Sequence, residues 1–201
     1  MVRPFKGEQY GSVKPFGLSI LVLGESSYNG NRGERLSADW NERIIGGVFK
    51  GDRDSTITRA ANVFWGTWRS FPERRAFWEA SAFANFVQED MGDVGYRPDE
   101  PHWKNGEQPF QECLIDLRPQ FVLALGKELW SNLPAQHRKE HPPIQIGTEN
   151  RPCYLYPNDD GYAFVFGIDH PAYRKGWSYQ KWTPWVKAAL EVATAFHQQR
   201  H

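Results

Sequence analysis

Two short apolar runs, near opposite ends of the chain, each stop abruptly at side chains that can do chemistry. The first covers residues 18–23 and is soon followed by Glu25, and the second covers residues 164–168 and is soon followed by His170. Apolar runs of this length predict buried strands. In an open parallel sheet, ligands bind in the crevice beyond the carboxyl ends of the strands. The two runs therefore predict an active site that contains a carboxylate and a histidine.

Further apolar runs predict strands at residues 82–87 and 121–125, and a turn sequence between residues 153–156 and 162–168 predicts a hairpin. Strands that alternate with helices are typical of a parallel sheet covered on both faces. We therefore predict an α/β fold, a three-layer α/β/α sandwich around a mainly parallel, roughly four-stranded sheet. Parallel strands bring the residues that follow them to one edge, and here these are residues 25–29, Asn85, Lys127 and residues 169–175.

Helix start signals define the segments between the strands. Ser70 and Glu73 match a capping box, and Thr183 followed by Pro184 matches a helix N-cap. Helices are predicted at residues 38–45, 56–68, 72–80, 108–117, 126–130 and 183–198, with a loop over residues 91–106. Residues 1–17 are rich in Gly and Pro and predict an irregular arm. A length of 201 residues suits a single domain that spans the whole chain.

The charge pattern and the aromatic content bear on possible partners. The formal net charge is zero, so no global field attracts a polyanion. Residues 170–187, however, contain four Lys or Arg and no acidic residue, which fits either phosphate contacts or a solvated basic face. The chain also has 9 Trp, 8 Tyr and 13 Phe. Two explanations fit this aromatic content: some of the rings stack on a ligand, or the rings fill the core.

The cysteines and the apolar runs bear on cofactors and location. Cys113 and Cys153 lie far apart in the sequence and match no metal-ligand spacing. We therefore expect reduced thiols, no metal and no other cofactor. The N-terminus has no apolar leader segment, and no run approaches the length of a membrane span. We expect a cytoplasmic protein that does not contact a membrane.

Four motifs occur in order along the chain. The sequence reads GESSY at residues 24–28, carries Asn85 in the second predicted strand, reads RPQFVLALG at residues 118–126, and has a His-Pro pair at His170. These motifs resemble those of the uracil-DNA glycosylase superfamily, which has a Gly-led loop after its first strand, a mid-chain Asn, an Arg-Pro strand that ends in Leu-Gly, and a His-Pro segment after the last strand. The order of the motifs makes the resemblance more specific than any one of them.

The first motif departs from the family pattern. Ser26 and Ser27 stand where several branches have Asp or Asn and then Pro. Glu25 matches the branch that has Glu in second place, but that branch carries four cysteines for an iron–sulfur cluster, and this chain has two cysteines. The chain therefore resembles a divergent member of the superfamily.

The resemblance implies a metal-free, monofunctional DNA glycosylase that flips out a uracil or a modified pyrimidine and hydrolyses its N-glycosidic bond. Its role would lie in DNA repair or in defence against phages with modified DNA. His170 would stabilise the departing base anion. Glu25, with Asn29 as the second candidate, would position water beside the sugar. From the residues alone, His170 also fits a turn cap, and Glu25 also fits the start of a helix.

The resemblance also implies residues that bind the base and the DNA. Asn85 would read the edge of a pyrimidine, although it also fits a turn at the end of a strand. Tyr28, Phe49 or Trp65 would stack on the base. The candidate base-binding residues are Gly24, Ser26, Tyr28, Asn85 and Phe49, and the candidate DNA-binding residues are Tyr173, Arg174, Lys175 and Lys127. The partner is then DNA, and we expect a monomer.

Two other classes of protein fit the sequence. A non-catalytic nucleic-acid-binding relative would keep the fold without the reaction; the altered first motif favours this alternative, and Glu25 and His170 count against it. An α/β-hydrolase-like or nucleotide-processing enzyme would use the same sheet edge. That third class is disfavoured because the sequence has no Gly-X-Ser-X-Gly elbow and no phosphate-binding Gly-Lys-Ser/Thr loop.

Overall fold

The computed structural model describes residues 2–51, 55–93, 95–172 and 176–199. Within these ranges the chain forms seven strands and six α-helices. The strands are β1 (Phe5–Lys6), β2 (Ile20–Gly24), β3 (Ala82–Asn85), β4 (Phe121–Leu125), β5 (Lys139–Ile146), β6 (Glu149–Asn158) and β7 (Gly161–Ile168). The helices are α1 (Trp40–Phe49), α2 (Ser55–Asn62), α3 (Phe71–Glu79), α4 (Glu100–Leu117), α5 (Lys127–Asn132) and α6 (Tyr179–Gln198).

All seven strands join one sheet in the order β1-β3-β2-β4-β7-β6-β5. The four central strands, β3, β2, β4 and β7, are parallel, and the other three are antiparallel to their neighbours. The α/β class is confirmed, but the prediction of a roughly four-stranded, mainly parallel sheet is wrong, because the sheet is larger and mixed. The run that forms β5 contains Pro142 and Pro143. Proline disfavours a strand in sequence reasoning, yet it is tolerated at the edge of a sheet.

Alternate residues of the central strands feed two cores on opposite faces of the sheet. Ile20 and Val22 pack with side chains of α1, α2, α3 and α6. Leu21 and Leu23 pack with side chains of α4 and α5. Because successive side chains of a strand point to opposite faces, and both faces of β2 are buried, the run that forms β2 is apolar throughout. Helices therefore cover both faces of the sheet.

Local signals predict one helix end correctly and two incorrectly. The capping box before α3 is present: the backbone N–H of Ser70 donates to Glu73 Oε2 at 2.8 Å. Helix α6 begins earlier than predicted, since Ser178 is its N-cap. Thr183, predicted to cap it, lies inside the helix and donates from Oγ1 to the Val63 carbonyl oxygen at 2.7 Å. The predicted loop over residues 91–106 is also partly wrong, because α4 already begins at Glu100.

The N-terminal segment is irregular except for β1, which pairs with β3, and a short 3-10 turn at Pro15–Gly17. Among the helices that the structure describes, none combines the length and the apolar composition needed to cross a lipid bilayer.

Candidate active site

The registers of the central strands bring the predicted polar residues to one edge of the sheet. Gly24, the last residue of β2, pairs with Asn85, the last residue of β3. Leu125 and Ile168, the last residues of β4 and β7, also pair with each other. Because these strands are parallel, the residues that follow them leave the sheet on the same side. The predicted convergence of strand ends is confirmed.

A cavity of about 430 Å³ opens at this edge, a size within the usual range of small-ligand sites. It brings together five of the predicted site residues with carboxylate, imidazole, amide, hydroxyl and phenol groups. These five are Glu25, His170, Asn85, Ser26 and Tyr28. Gly24, a sixth predicted site residue, also lines the cavity, and the rest of the lining is Ser27, Trp40, Ile44, Thr56, Ile57, Phe83, Arg97, Leu125 and Ala172.

Glu25 is a buried carboxylate that is held by an arginine. Its side chain is 4% exposed, and Arg97 Nη2 lies 3.1 Å from Oε1 and 3.3 Å from Oε2. Burial raises the pKa of the Glu25 carboxyl above its ordinary value; Arg97 opposes this rise, and the negative charge of Glu128 adds to it. A carboxylate with a raised pKa is a stronger base than an exposed glutamate, which suits a group that activates water.

His170 is oriented by its own loop. Its Nδ1 accepts a hydrogen bond from the backbone N–H of Ala172 at 3.2 Å. In a neutral imidazole, an accepting Nδ1 places the proton on Nε2, which is then the donor. This ring is therefore set up to donate a proton or a hydrogen bond from Nε2.

Gly126 lies next to both the carboxylate of Glu25 and the imidazole of His170. A Cβ on this residue would lie 3.3 Å from Glu25 Oε2 and 3.7 Å from His170 Cδ2. The φ of Gly126 is +126°, a conformation that side-chain-bearing residues rarely adopt. The glycine thus leaves open the space that a side chain would occupy beside both candidate catalytic groups.

The amide of Asn85 is fixed from two sides. Its Nδ2 donates to Ser27 Oγ at 2.8 Å. Its Oδ1 lies where the side chain of Gly24 would begin, 2.2 Å from the position of a Cβ on that residue. Asn85 is 7% exposed, so the amide is a rigid polar group in the wall of the cavity.

Asn29 lies outside the cavity, although the sequence predicts a catalytic role for it. The residue is exposed, and its backbone N–H donates to Asp90 Oδ1 at 2.8 Å. Buried Asp90 also accepts from the backbone N–H groups of Asn31 at 3.0 Å and Gly92 at 2.8 Å. The loop is therefore wound around Asp90, and this winding leaves the side chain of Asn29 away from the lining residues.

Phe49 also lies outside the cavity. It is the last residue of α1, its ring is 6.0 Å from that of Phe5, and the guanidinium of Arg75 lies 5.4 Å from its centroid. Trp65 packs in the same way, with ring centroids 5.4 Å from Phe16 and 5.5 Å from Phe77. Both aromatics contribute to packing, and of the three predicted stacking rings Tyr28 lines the cavity.

The predicted DNA-binding residues divide into two groups. Tyr173, Arg174 and Lys175 lie outside the described residues. Lys127 begins α5, and its side chain is 83% exposed with Nζ 3.7 Å from Asp169 Oδ1. It lines a second cavity of about 290 Å³, which adjoins the first.

Arg97 and Trp40 are among the polar lining residues that sequence reasoning did not assign to the site. Arg97 lies in the segment predicted as a loop, where no local pattern separates it from other surface arginines. Trp40 begins α1, and its Nε1 donates to Ser27 Oγ at 2.7 Å. The unusual length of the connection between β2 and β3 was the available signal for Trp40.

The thiols and the acidic groups give no metal or nucleophile site in the described ranges. There, no group of three or more His, Cys, Asp or Glu side chains is arranged to hold a metal ion. Cys113 and Cys153 are both buried and free. Burial raises the pKa of Cys113 to about 12 and that of Cys153 to about 11. Such thiols remain protonated at neutral pH and are poor nucleophiles.

Sequence comparison with known proteins returned no relative of this chain. No protein-family model matches the sequence, and no curated protein matches it either.

Proposed function

We propose that this protein is a DNA glycosylase that hydrolyses the N-glycosidic bond of a flipped-out uracil or modified pyrimidine. One observation carries the proposal: Glu25 and His170 flank Gly126 at the edge of the parallel sheet, in the cavity that also holds the fixed amide of Asn85. A flipped base needs a polar, enclosed pocket that reads its edge. These groups supply both the pocket and the chemistry.

Cleavage of the N-glycosidic bond builds positive charge on the sugar and negative charge on the departing base. Glu25, as a carboxylate, stabilises the cationic sugar and accepts a proton from the water that attacks C1′. His170 donates from Nε2 to the carbonyl oxygen of the base and so stabilises the anion as the C1′–N bond breaks. The products are an abasic sugar and a free base, which takes up a proton.

Recognition of the base falls to Asn85 and the aromatic lining. One N–H of the Asn85 amide is used by Ser27, which leaves a second N–H to pair with an acceptor on the edge of a pyrimidine. Tyr28, Trp40 and Phe83 line the same cavity and provide apolar surface for the ring. Such a pocket favours a planar heterocycle with polar edges.

The test is a base-excision assay on single-stranded and double-stranded oligonucleotides. The panel contains uracil, other damaged pyrimidines and modified cytosines with small or bulky 5-substituents, and alkali reveals abasic sites. We expect His170→Gln and Glu25→Gln each to lower the excision rate by about 10²–10³-fold. The matched control is His137→Gln, since His137 lies exposed in the 3-10 turn at Ala135–His137. This control variant should excise as fast as the wild type.

A non-catalytic nucleic-acid-binding protein is the second candidate. It is favoured by the contact of Arg97 with both oxygens of Glu25, which leaves less of the carboxylate for water. DNA binding with no abasic product, and with no effect of His170→Gln, would favour this candidate. The absence of product across the panel would contradict the glycosylase proposal for those bases.

A further inference from the structure

Arg97 is shared between two carboxylates of unequal burial. Its Nη2 lies 3.1 Å from Glu25 Oε1 and 2.9 Å from Glu128 Oε2, and its Nε donates to the same Glu128 oxygen at 3.0 Å. The Glu25 side chain is 4% exposed, whereas that of Glu128 is 51% exposed. A third contact runs from Nη1 to the hydroxyl oxygen of Tyr28 at 3.4 Å. One guanidinium thus connects the interior of the site to its rim.

The same arginine lies in the wall between the two adjoining cavities. Arg97, Glu25 and His170 line both the cavity of about 430 Å³ and the neighbouring one of about 290 Å³. A movement of the Arg97 guanidinium therefore changes the lining of both cavities that Glu25 contacts.

Several charged and titratable groups face Glu25 in this region. They are Arg97 and Tyr28 from the connecting loops, Lys127 and Glu128 from α5, and Asp169 and His170 from the segment after β7. Lys127 and Lys181 pair with Asp169, with Nζ–Oδ distances of 3.7 Å and 2.9 Å. Within the part of the chain that the structure describes, Arg97 is the cation that pairs with Glu25.

We propose that Arg97 is the positioning residue of this site, which holds the buried carboxylate of Glu25 ionised and in place, and that Glu128 weakens this hold by competing for the same guanidinium. The effect of Arg97 on the reaction rests on the proposed glycosylase activity. The effect of Arg97 on Glu25 is independent of that activity, because the ion pair forms without substrate.

The proposal predicts opposite effects on Glu25 when Arg97 and Glu128 are replaced. Arg97→Gln removes the cation that favours the ionised carboxylate, so the pKa of Glu25 rises further. Glu128→Gln removes a like charge and leaves the guanidinium to Glu25, so the pKa of Glu25 falls. Arg97→Lys keeps the charge but loses the planar fork that contacts both carboxylates. Its effect should lie between that of Arg97→Gln and the wild type.

The direct test follows the carboxyl carbon of Glu25 by ¹³C NMR during a pH titration of the free protein. The resonance is assigned by its loss in Glu25→Gln. We expect an upward shift of the titration in Arg97→Gln, a smaller upward shift in Arg97→Lys and a downward shift in Glu128→Gln. Unchanged titration in Arg97→Gln, or shifts of the same sign in Arg97→Gln and Glu128→Gln, would overturn the proposal. Amide spectra that overlay away from the site check the fold of each variant.

A parallel activity measurement separates this inference from the proposed function. With an oligonucleotide from which the wild type excises a base, Arg97→Gln should lower kcat by about 10²-fold with a smaller change in KM. The acidic limb of its pH profile should move in the same direction as the NMR titration, and Arg97→Lys should restore part of the rate. Shifted titrations with no abasic product from the wild type would contradict the glycosylase and leave the role of Arg97 standing. Excision by the wild type with unshifted titrations in the variants would support the glycosylase and contradict the role of Arg97.

Discussion

Asn85 and Ser27 connect the ends of two neighbouring parallel strands, because Asn85 Nδ2 donates a hydrogen bond of 2.8 Å to Ser27 Oγ. The same oxygen accepts a hydrogen bond of 2.7 Å from Trp40 Nε1. A single hydroxyl therefore joins β3, the segment after β2 and the first residue of α1. The proposed base-reading amide owes its position to this hydroxyl rather than to β3 alone.

Replacement of Ser27 should destabilise the protein more than replacement of its neighbour. Ser27→Ala leaves the N–H groups of Asn85 and Trp40 without their shared acceptor, so we expect the free energy of unfolding to fall by about 1–3 kcal/mol. The control is Ser26→Ala, since Ser26 Oγ is buried with no hydrogen-bond partner among the described residues. Its removal should change stability little. Urea denaturation measures both variants, and equal losses would contradict the shared-acceptor role.

A methyl group on Gly24 should disturb the site directly. The new Cβ would lie 2.2 Å from Asn85 Oδ1, so the amide must move or β2 and β3 must separate. We expect Gly24→Ala to lower the free energy of unfolding by about 1–3 kcal/mol and to reduce excision in the oligonucleotide assay.

Gly46→Ala is the matched control for Gly24→Ala. Gly46 lies within α1, and a Cβ on it would meet nothing within 4 Å. Alanine is a better helix former than glycine, so thermal or urea unfolding should report a gain of about 1 kcal/mol. A loss in Gly46→Ala, or no loss in Gly24→Ala, would contradict the close packing assigned to the strand ends.

The central strands and their convergent ends were predictable because burial on both faces makes such strands apolar throughout. Residues 121–125 were predicted as a strand and form β4 with the same bounds. The edge strands were not predictable in this way. The run that forms β5 is mostly exposed and contains two prolines, so neither its hydrophobicity nor its composition distinguishes it from a loop.

The candidate site was predictable only where the strand ends determine it. Asn85 ends a central strand, and Glu25 and His170 lie one and two residues beyond the ends of two others, so strand register brings them to one cavity. Asn29 and Phe49 depend on the path of the loop and on the face of α1 that packs inward, which the sequence does not specify locally. Arg97 reaches Glu25 across 72 residues of sequence, and only the tertiary fold makes that contact.

Asp90 should be the main stabiliser of the loop around Asn29 and Asn31, which follows β2. Asp90→Ala leaves the backbone N–H groups of Asn29, Asn31 and Gly92 without their acceptor, and hydrogen bonds to charged groups contribute about 1.5–3 kcal/mol each. We expect a loss of about 3 kcal/mol or more in the free energy of unfolding, together with faster amide exchange at Asn29 and Asn31. Asp93→Ala is the control, because Asp93 is an exposed aspartate three residues after Asp90. If the two variants lose the same stability, the buried carboxylate does not organise this loop.

The burial of Glu25 should make the stability of the protein depend on pH. Because burial raises the pKa of this carboxyl in the folded protein, the folded state binds its proton more tightly than the unfolded chain does. The contribution of Glu25 to the free energy of unfolding therefore falls as pH rises from the ordinary pKa of 4.5 through the raised pKa.

Glu25→Gln has no proton to lose, so its stability relative to the wild type should rise across that pH window and then level off. Urea denaturation at closely spaced pH values measures this difference. A difference for Glu25→Gln that is flat, or that falls with pH, would mean that burial does not destabilise the ionised carboxylate in the folded protein.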